Sequence, residues 1–145
     1  MDASQLAVLR TMYVFTPIEG QPWGLTYDSL KASLLERDPY EFIRIHEGGQ
    51  PRASAVHYGI TLDGEELEGY ARVRPEGISI LDSTAQAAAD FVGWLREQVV
   101  PEGVAMTFNT AWGLEEDLPD TAVPDVTRPP LIAAFIAHLE ATGLK

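Results

Sequence analysis

The sequence predicts an α+β protein, in which a four-strand antiparallel meander and a fifth strand form a sheet with helices packed on one face. Two turn signatures divide stretches of alternating apolar and polar residues in the first half of the chain. In the second half, apolar residues recur at helical spacing in two segments. The chain has 145 residues and no linker-like composition, so we expect one domain over residues 1–145.

The N-terminal part of the chain predicts a loop and a helix. Residues 3–16 are apolar without a clear period, so the pattern does not distinguish a helix from a strand. The stretch 16–24 contains proline and glycine and predicts a loop. A helix is expected over residues 26–37 and ends before Pro39. Its apolar stripe consists of Leu30, Leu34 and Leu35.

Two hairpins are predicted in the middle of the chain, and each fixes a strand register. Residues 50–53 (QPRA) are typical of a four-residue hairpin loop, which places His46 directly opposite His57. The pair Asp63-Gly64 is typical of a type I′ turn, which places Tyr70 beside His57. Both registers separate apolar from polar side chains onto opposite faces, whereas a slip of one residue would mix the two sets.

A long helix is predicted to follow the meander. The meander strands are expected at residues 40–47, 55–62, 66–74 and 78–81, with a third turn at Pro75-Glu76-Gly77. Residues 83–86 (STAQ) have the capping-box pattern, which predicts a helix that continues to about Val100. The buried stripe of this helix is expected to contain Phe91, Val92, Leu95 and Val99.

The last third of the chain predicts a fifth strand, an acidic loop and a final helix. Alternation over residues 104–110 predicts a strand whose inward side chains are Val104, Met106 and Phe108. Residues 112–126 are acidic and contain proline, which predicts a loop. A helix is expected from Pro129 to Thr142, because prolines are favoured at the first helical positions. Its apolar stripe consists of Leu131, Ile132, Phe135 and Leu139.

One face of the predicted meander is a candidate site for anion binding or acid–base chemistry. Its residues are Arg44, His46, His57, Tyr70 and Arg72. Arginine and histidine bind carboxylates and phosphates through charge-assisted hydrogen bonds. An enzyme would use His46 or His57 as general base and an arginine as oxyanion or phosphate clamp, under the 16–25 loop. A solvated face whose arginines pair with Glu66 and Glu68 explains the same pattern without a function.

No metal or cofactor site is predicted. The chain has no cysteine, which excludes disulfides, thiolate nucleophiles and zinc sites built on sulfur. The sequence contains no P-loop, GxGxxG, GxSxG or HExxH motif. These absences make an enzyme less expected and leave catalysis by the histidines as an open alternative. His138, in the final helix, is expected to pack or to face solvent.

The charge of the chain is strongly negative and unevenly distributed. The net charge is −12, and residues 82–125 contain nine acidic residues against one basic residue, Arg96. Such a field repels nucleic acids and anionic lipids and favours basic partners. No apolar run is long enough to span a membrane, and the N-terminus lacks the pattern of a signal peptide. We therefore expect a cytoplasmic protein that binds neither nucleic acid nor membrane.

The favoured interpretation is a small acidic, non-catalytic binding module that engages a basic protein partner. An inhibitor or immunity-type protein that neutralises a cationic enzyme is an analogy, drawn from charge alone. In the acidic loop, aromatic and aliphatic residues would anchor the contact and carboxylates would steer it. These residues are Trp112, Leu114, Glu115, Glu116, Asp117 and Asp120. A merely solvated loop, or a homodimer formed through the helix at 129–142, are the rival interpretations.

Overall fold

A computed structural model of the chain describes residues 3–18, 20–37, 43–46, 55–62, 64–73, 76–101, 103–124 and 128–142. Within these ranges, seven strands form one antiparallel sheet and five helices accompany it, which confirms the α+β class. The strands are β1 (Thr11–Pro17), β2 (Ile43–His46), β3 (Ala55–Leu62), β4 (Glu65–Val73), β5 (Glu76–Ser83), β6 (Met106–Thr110) and β7 (Thr121–Ala122). The helices are α1 (Ala3–Ala7), α2 (Tyr27–Arg37), α3 (Ala85–Gln98), α4 (Ala111–Glu115) and α5 (Arg128–Ala141).

The sheet has the strand order β2-β3-β4-β5-β1-β6-β7, so β1 joins the meander to the last two strands. The sequence left this segment undecided between helix and strand. Tyr13 and Phe15 are buried on one face, while Met12 and Val14 are half-buried on the other. A strand that is apolar on both faces shows no alternation of apolar and polar residues, which explains why its period could not be read.

One predicted hairpin register is confirmed and the other is wrong. In the β3–β4 pair, His57 lies opposite Tyr70 and Leu62 opposite Glu65, as the Asp63-Gly64 turn predicts. In the β2–β3 pair, His46 lies opposite Ala55, and His57 lies opposite Arg44. The register therefore differs by two residues from the predicted one, and the two histidines do not face each other. The predicted loop at 50–53 lies outside the described residues, as do Pro39, Phe42 and Asp63.

The β4–β5 connection is shorter than the sequence suggested. Glu76 pairs with Val73, so Glu76 and Gly77 belong to β5 and not to a turn; Pro75 lies outside the described residues. Further along β5, the Ser79 carbonyl accepts a 2.7 Å hydrogen bond from the hydroxyl of Tyr58 on β3. A Cβ at Gly69 would overlap that carbonyl, so only glycine fits at this close approach.

An aromatic core fills the space between the sheet and the two long helices. Phe135 of α5 meets three sheet aromatics, with ring centroids 4.7 Å from Phe108, 5.3 Å from Tyr13 and 6.3 Å from Phe15. The ring centroid of Phe91, on α3, lies 5.8 Å from that of Phe15, with the two planes inclined by 41°. Edge-to-face contacts at these distances are favourable beyond the area they bury. The predicted apolar stripes of both helices are therefore confirmed at Phe91 and Phe135, and both helices pack on one face of the sheet.

The start of α3 differs by one residue from its predicted cap. The side chain of Thr84, not that of Ser83, accepts a 3.2 Å hydrogen bond from the Ala87 amide. The Ser83 hydroxyl instead donates to the Leu81 carbonyl at 2.8 Å. A threonine cap satisfies one of the free amides of the first turn and fixes where the helix begins.

No helix within the described ranges is long and apolar enough to cross a membrane.

Candidate functional site

The segment predicted as an acidic loop begins with a short helix and ends in a strand. Helix α4 starts directly after β6, because the Thr110 hydroxyl accepts a 3.1 Å hydrogen bond from the Gly113 amide and caps it. Two residues of β7 then pair with β6, so the prediction of loop over all of 112–126 is wrong. Asp125 and Val126 lie outside the described residues. We call residues 112–120 the acidic turn.

The acidic turn is closed by a Schellman motif. The Leu118 amide donates to the Gly113 carbonyl at 2.8 Å, and the Asp117 amide donates to the Leu114 carbonyl at 3.2 Å. Asp117 has a φ of 59°, the left-handed conformation that this motif requires and that glycine normally supplies. The backbone of the turn is therefore fixed by two reciprocal bonds.

A buried asparagine anchors the turn from below. Asn109, on β6, is 1% exposed. Its Nδ2 group donates to the Leu118 carbonyl at 3.1 Å and to Oδ1 of Asp120 at 3.0 Å, while its Oδ1 accepts from the Thr110 amide at 2.9 Å. These bonds use both amide hydrogens and the carbonyl oxygen of the side chain. The acidic turn is therefore held by hydrogen bonds to the sheet as well as by hydrogen bonds within its own backbone.

A buried histidine joins the two ends of the same segment. His138, on α5, lies with Nε2 3.0 Å from Oγ1 of Thr110 and Nδ1 3.4 Å from Oγ1 of Thr121. Its ring centroid is 4.8 Å from that of Phe108. Burial lowers the pKa of His138 from its ordinary value, so the neutral ring is favoured. A Cβ at Gly113 would crowd Asn109 and His138, which fixes the identity of this glycine.

The side chains predicted for partner binding are presented outward from this support. Leu114 is 50% exposed, and Glu115, Glu116 and Asp117 follow it as exposed residues. Asp120 is exposed although one of its oxygens accepts from Asn109. The predicted aromatic anchor is less available, because Trp112 is half-buried. The structure therefore brings one apolar and several carboxylate side chains together on a fixed backbone.

The polar sheet face, formed by His57, Glu66, Glu68, Tyr70 and Arg72 on β3 and β4, is the second candidate surface. Nε2 of His57 lies 3.0 Å from Oε2 of Glu68. The His57 and Tyr70 rings are stacked, with centroids 4.8 Å apart and planes inclined by 17°. Tyr70 is 42% exposed and Arg72 is exposed. A carboxylate that holds an imidazole is also part of many acid–base sites, so this geometry alone permits proton transfer.

The loop that the enzyme alternative places over the polar sheet face lies elsewhere. The Glu76 carboxylate accepts hydrogen bonds from the amides of Trp23 at 2.9 Å and Leu25 at 2.7 Å. Both residues belong to the hydrophobic core, on the side of the sheet that carries the helices. The described part of this loop is therefore fixed against the core, on the opposite side of the sheet from the polar sheet face.

A cavity of about 390 Å³ was not foreseen from the sequence. It lies between the end of α3 and the start of β6, with Val100, Met106 and Val123 among its lining residues. Arg96 also lines it and donates a hydrogen bond to the Pro124 carbonyl. The lining residues show no spacing or motif that marks a site, so this cavity could not be predicted from the sequence.

Among the residues that the structure describes, no group of three or more histidine, aspartate or glutamate side chains is arranged to hold a metal ion. Comparison of the chain with models of known protein families, with curated proteins and with solved structures finds no match.

Proposed function

We propose that this protein is a small, acidic, non-catalytic binding module and that its acidic turn engages a basic protein partner. The observation that carries the proposal is the exposed Leu114, followed directly by three exposed carboxylates on a backbone held by the Schellman motif. A protein–protein contact usually has an apolar centre and a polar rim, and an exposed leucine next to carboxylates could supply both.

Charge and rigidity contribute to such a contact in different ways. A net charge of −12 accelerates encounter with a basic surface, and salt weakens this steering over a Debye length of about 8 Å at physiological ionic strength. The fixed backbone lowers the conformational entropy lost on binding, because the turn is already ordered. We therefore expect rapid, salt-sensitive association with Leu114 as the apolar centre.

The residue at the Schellman position supports a role for its side chain. Glycine is the common residue at a left-handed helix end because it has no Cβ, whereas this chain has Asp117 there. Aspartate tolerates the conformation better than most residues but is still less favourable than glycine. A charged residue held in this conformation at an exposed turn is consistent with selection for binding over stability.

The proposal has three further parts that follow from composition. The protein is expected to be cytoplasmic, and nucleic acids and anionic membranes are expected not to bind because the acidic field repels them. A relation like that of an inhibitor to a cationic enzyme fits this charge, as an analogy only.

The test is affinity capture from the source organism with matched variants at low and moderate salt. One variant changes Glu115, Glu116 and Asp117 to alanine, and a control changes Glu36, Glu97 and Glu140, which are exposed on three helices, to alanine. Both variants remove three negative charges. A retained basic protein is expected to bind the first variant at least about tenfold more weakly and the control nearly as well as the wild type.

A further variant separates the apolar anchor from charge. Leu114→Ala keeps every carboxylate. We expect it to weaken binding of the retained partner by about fivefold or more, without changing the salt dependence of binding. If no basic protein is retained, or if one is retained equally by the variant at 115–117 and by the control, the acidic turn is not the binding surface.

The alternative function uses the polar sheet face to bind a small anion or to act on one. The observation that favours it is the stacking of the half-buried His57 on the exposed Tyr70, with the exposed Arg72 two residues further along β4. In the β2–β3 pair, Arg44 lies opposite His57. Glu68 opposes it, because this carboxylate already contacts His57. Titration with inorganic phosphate, followed through the imidazole NMR signals of wild type and Arg72→Ala, would show saturable binding lost in the variant if this function holds.

A further inference from the structure

The cavity at the end of α3 has an apolar floor and an exposed rim. Val100, Met106 and Val123 are buried residues of the hydrophobic core and line the cavity. Pro101 and Ala105 also line it and are exposed, so they lie at the rim. The cavity has a volume of about 390 Å³, which is within the range of pockets that hold small molecules.

Backbone hydrogen bonds hold the segments that enclose the cavity. The Val123 amide donates to the Met106 carbonyl at 3.0 Å, which fixes the segment after β7 against β6. The Val104 amide donates to the Pro101 carbonyl at 3.1 Å, which closes the turn that follows α3. Walls that are already ordered lose little conformational entropy when a ligand enters.

One wall of the cavity carries a positive charge. Arg96 is the one ionisable side chain among the lining residues that the structure describes. It is half-buried, and its guanidinium donates a hydrogen bond to the Pro124 carbonyl. A guanidinium stays charged in proteins and has five N–H donors, so it can serve this carbonyl and a ligand at the same time. The cavity therefore combines an apolar surface with a permanent cation.

The charge of the surrounding chain restricts which anion fits this site. Arg96 is the one basic residue within residues 82–125, and Glu97, beside it, is exposed. The net charge of −12 repels anions, although salt screens this repulsion beyond about 8 Å at physiological ionic strength. A phosphate monoester carries nearly two negative charges at neutral pH, whereas a carboxylate carries one. A single arginine in an apolar cavity therefore favours a monocarboxylate with an apolar body.

We propose that this cavity binds a small carboxylic acid with an apolar body, such as a medium-chain fatty acid. The carboxylate pairs with the Arg96 guanidinium, and the alkyl chain lies against Val100, Met106 and Val123. This inference goes beyond the proposed function, because none of these residues belongs to the acidic turn. The two sites lie at opposite ends of β6, since Met106 begins the strand and the acidic turn follows its last residue, Thr110.

The experiment compares octanoate with 1-octanol, which has an alkyl chain of the same length and no charge. Calorimetric titration of the purified full chain at about 0.15 M salt and neutral pH, where octanoate is ionised, gives the dissociation constants. The methyl NMR signals of Val100, Met106 and Val123 show where each ligand lies. We expect saturable binding of octanoate that shifts all three signals, and weaker binding of octanol at the same place.

Three variants separate the charge from the cavity. Arg96→Gln keeps N–H donors and removes the charge, and we expect it to weaken octanoate at least about tenfold and octanol less than about twofold. Ala105→Trp, at the exposed rim, should weaken both ligands at least about fivefold because it narrows the cavity. Lys31→Met removes one positive charge from an exposed position of α2 and is the matched control, which should bind octanoate like the wild type.

The outcomes decide this inference separately from the proposed function. Circular dichroism first establishes that the variants are folded, and Arg96→Met replaces Arg96→Gln if the latter is not. Octanoate that does not bind, or that shifts methyl signals elsewhere, overturns the inference. Equal effects of the Arg96 variant on octanoate and octanol also overturn it, because the side chain would then act only on the shape of the cavity. None of these results changes the expected capture of a basic protein by the acidic turn.

Discussion

At the scale of single residues, two buried tyrosines show that hydrogen bonding decides whether a buried hydroxyl stabilises the fold. Tyr13 and Tyr58 are both fully buried, and burial raises the pKa of both phenols. The Tyr58 hydroxyl donates to the Ser79 carbonyl at 2.7 Å. The Tyr13 hydroxyl has no hydrogen-bond partner among the described residues. A buried polar group without a partner loses its hydration and gains nothing in return.

The same substitution at these two positions should therefore have opposite effects. We expect Tyr58→Phe to lower the free energy of unfolding by about 1–2 kcal/mol, because it leaves a buried carbonyl without its donor. Tyr13→Phe should leave it unchanged or raise it by up to about 1 kcal/mol, because it removes an unpaired hydroxyl. Denaturant unfolding at neutral pH measures both. Equal losses in the two variants would mean that the Tyr13 hydroxyl has a partner.

At the scale of elements, features set by neighbouring residues could be predicted from the sequence, whereas contacts between distant segments could not. The β3–β4 register was predictable because Asp63-Gly64 fixes a two-residue turn. The β2–β3 register was wrong by two residues, and alternation could not reveal it, since a shift by an even number keeps every side chain on its face. The acidic residues of the site were predictable as a segment. Their support was not, because Asn109 and His138 come from β6 and α5 and meet only in the fold.

The Schellman end of α4 allows charge and backbone conformation to be tested separately. Asp117→Gly should raise the free energy of unfolding by about 0.5–1 kcal/mol, because glycine adopts the left-handed conformation without strain but is more flexible in the unfolded chain. Asp117→Asn keeps a residue that tolerates this conformation and should leave stability nearly unchanged. Denaturant unfolding provides the measurement for both variants.

Both Asp117 variants should weaken binding of a basic partner to a similar extent, because both remove the same charge. A destabilised Asp117→Gly would contradict the assignment of the left-handed conformation. Binding lost in Asp117→Gly and kept in Asp117→Asn would show that backbone rigidity, and not the carboxylate, matters at this position.

At the scale of the whole molecule, pH should act on stability through one buried histidine. His138 connects α5 to Thr110, which caps α4, and to Thr121 in β7, so three elements depend on its ring. Glu140, two residues after His138 on α5, is exposed to solvent, and Asp120, next to Thr121, is already bonded to Asn109. Protonation adds a charge to a site that is 6% exposed and bordered by Phe108, and both ring nitrogens then become donors.

The sign of this effect follows from the direction of the pKa shift. Burial lowers the pKa of His138 below its ordinary value of 6.5, so in the interval below 6.5 the unfolded chain binds the proton more readily than the folded one. The stability contributed by His138 is complete above 6.5 and is lost as pH falls through the folded pKa. We expect the free energy of unfolding to decrease between about pH 7.5 and pH 5, where most carboxylates remain ionised.

His138→Gln provides the comparison, because glutamine keeps a donor and an acceptor but does not titrate. The variant is expected to be less stable than the wild type at pH 7.5, since its shape is different, and to lose part of the dependence on pH over this interval. Denaturant unfolding of both proteins at a series of pH values gives the two slopes. Because His138 holds both ends of the acidic turn, binding of a basic partner should weaken in the same interval in the wild type only. Parallel slopes for the two proteins would exclude His138 as the group that links acidity to the stability of this fold.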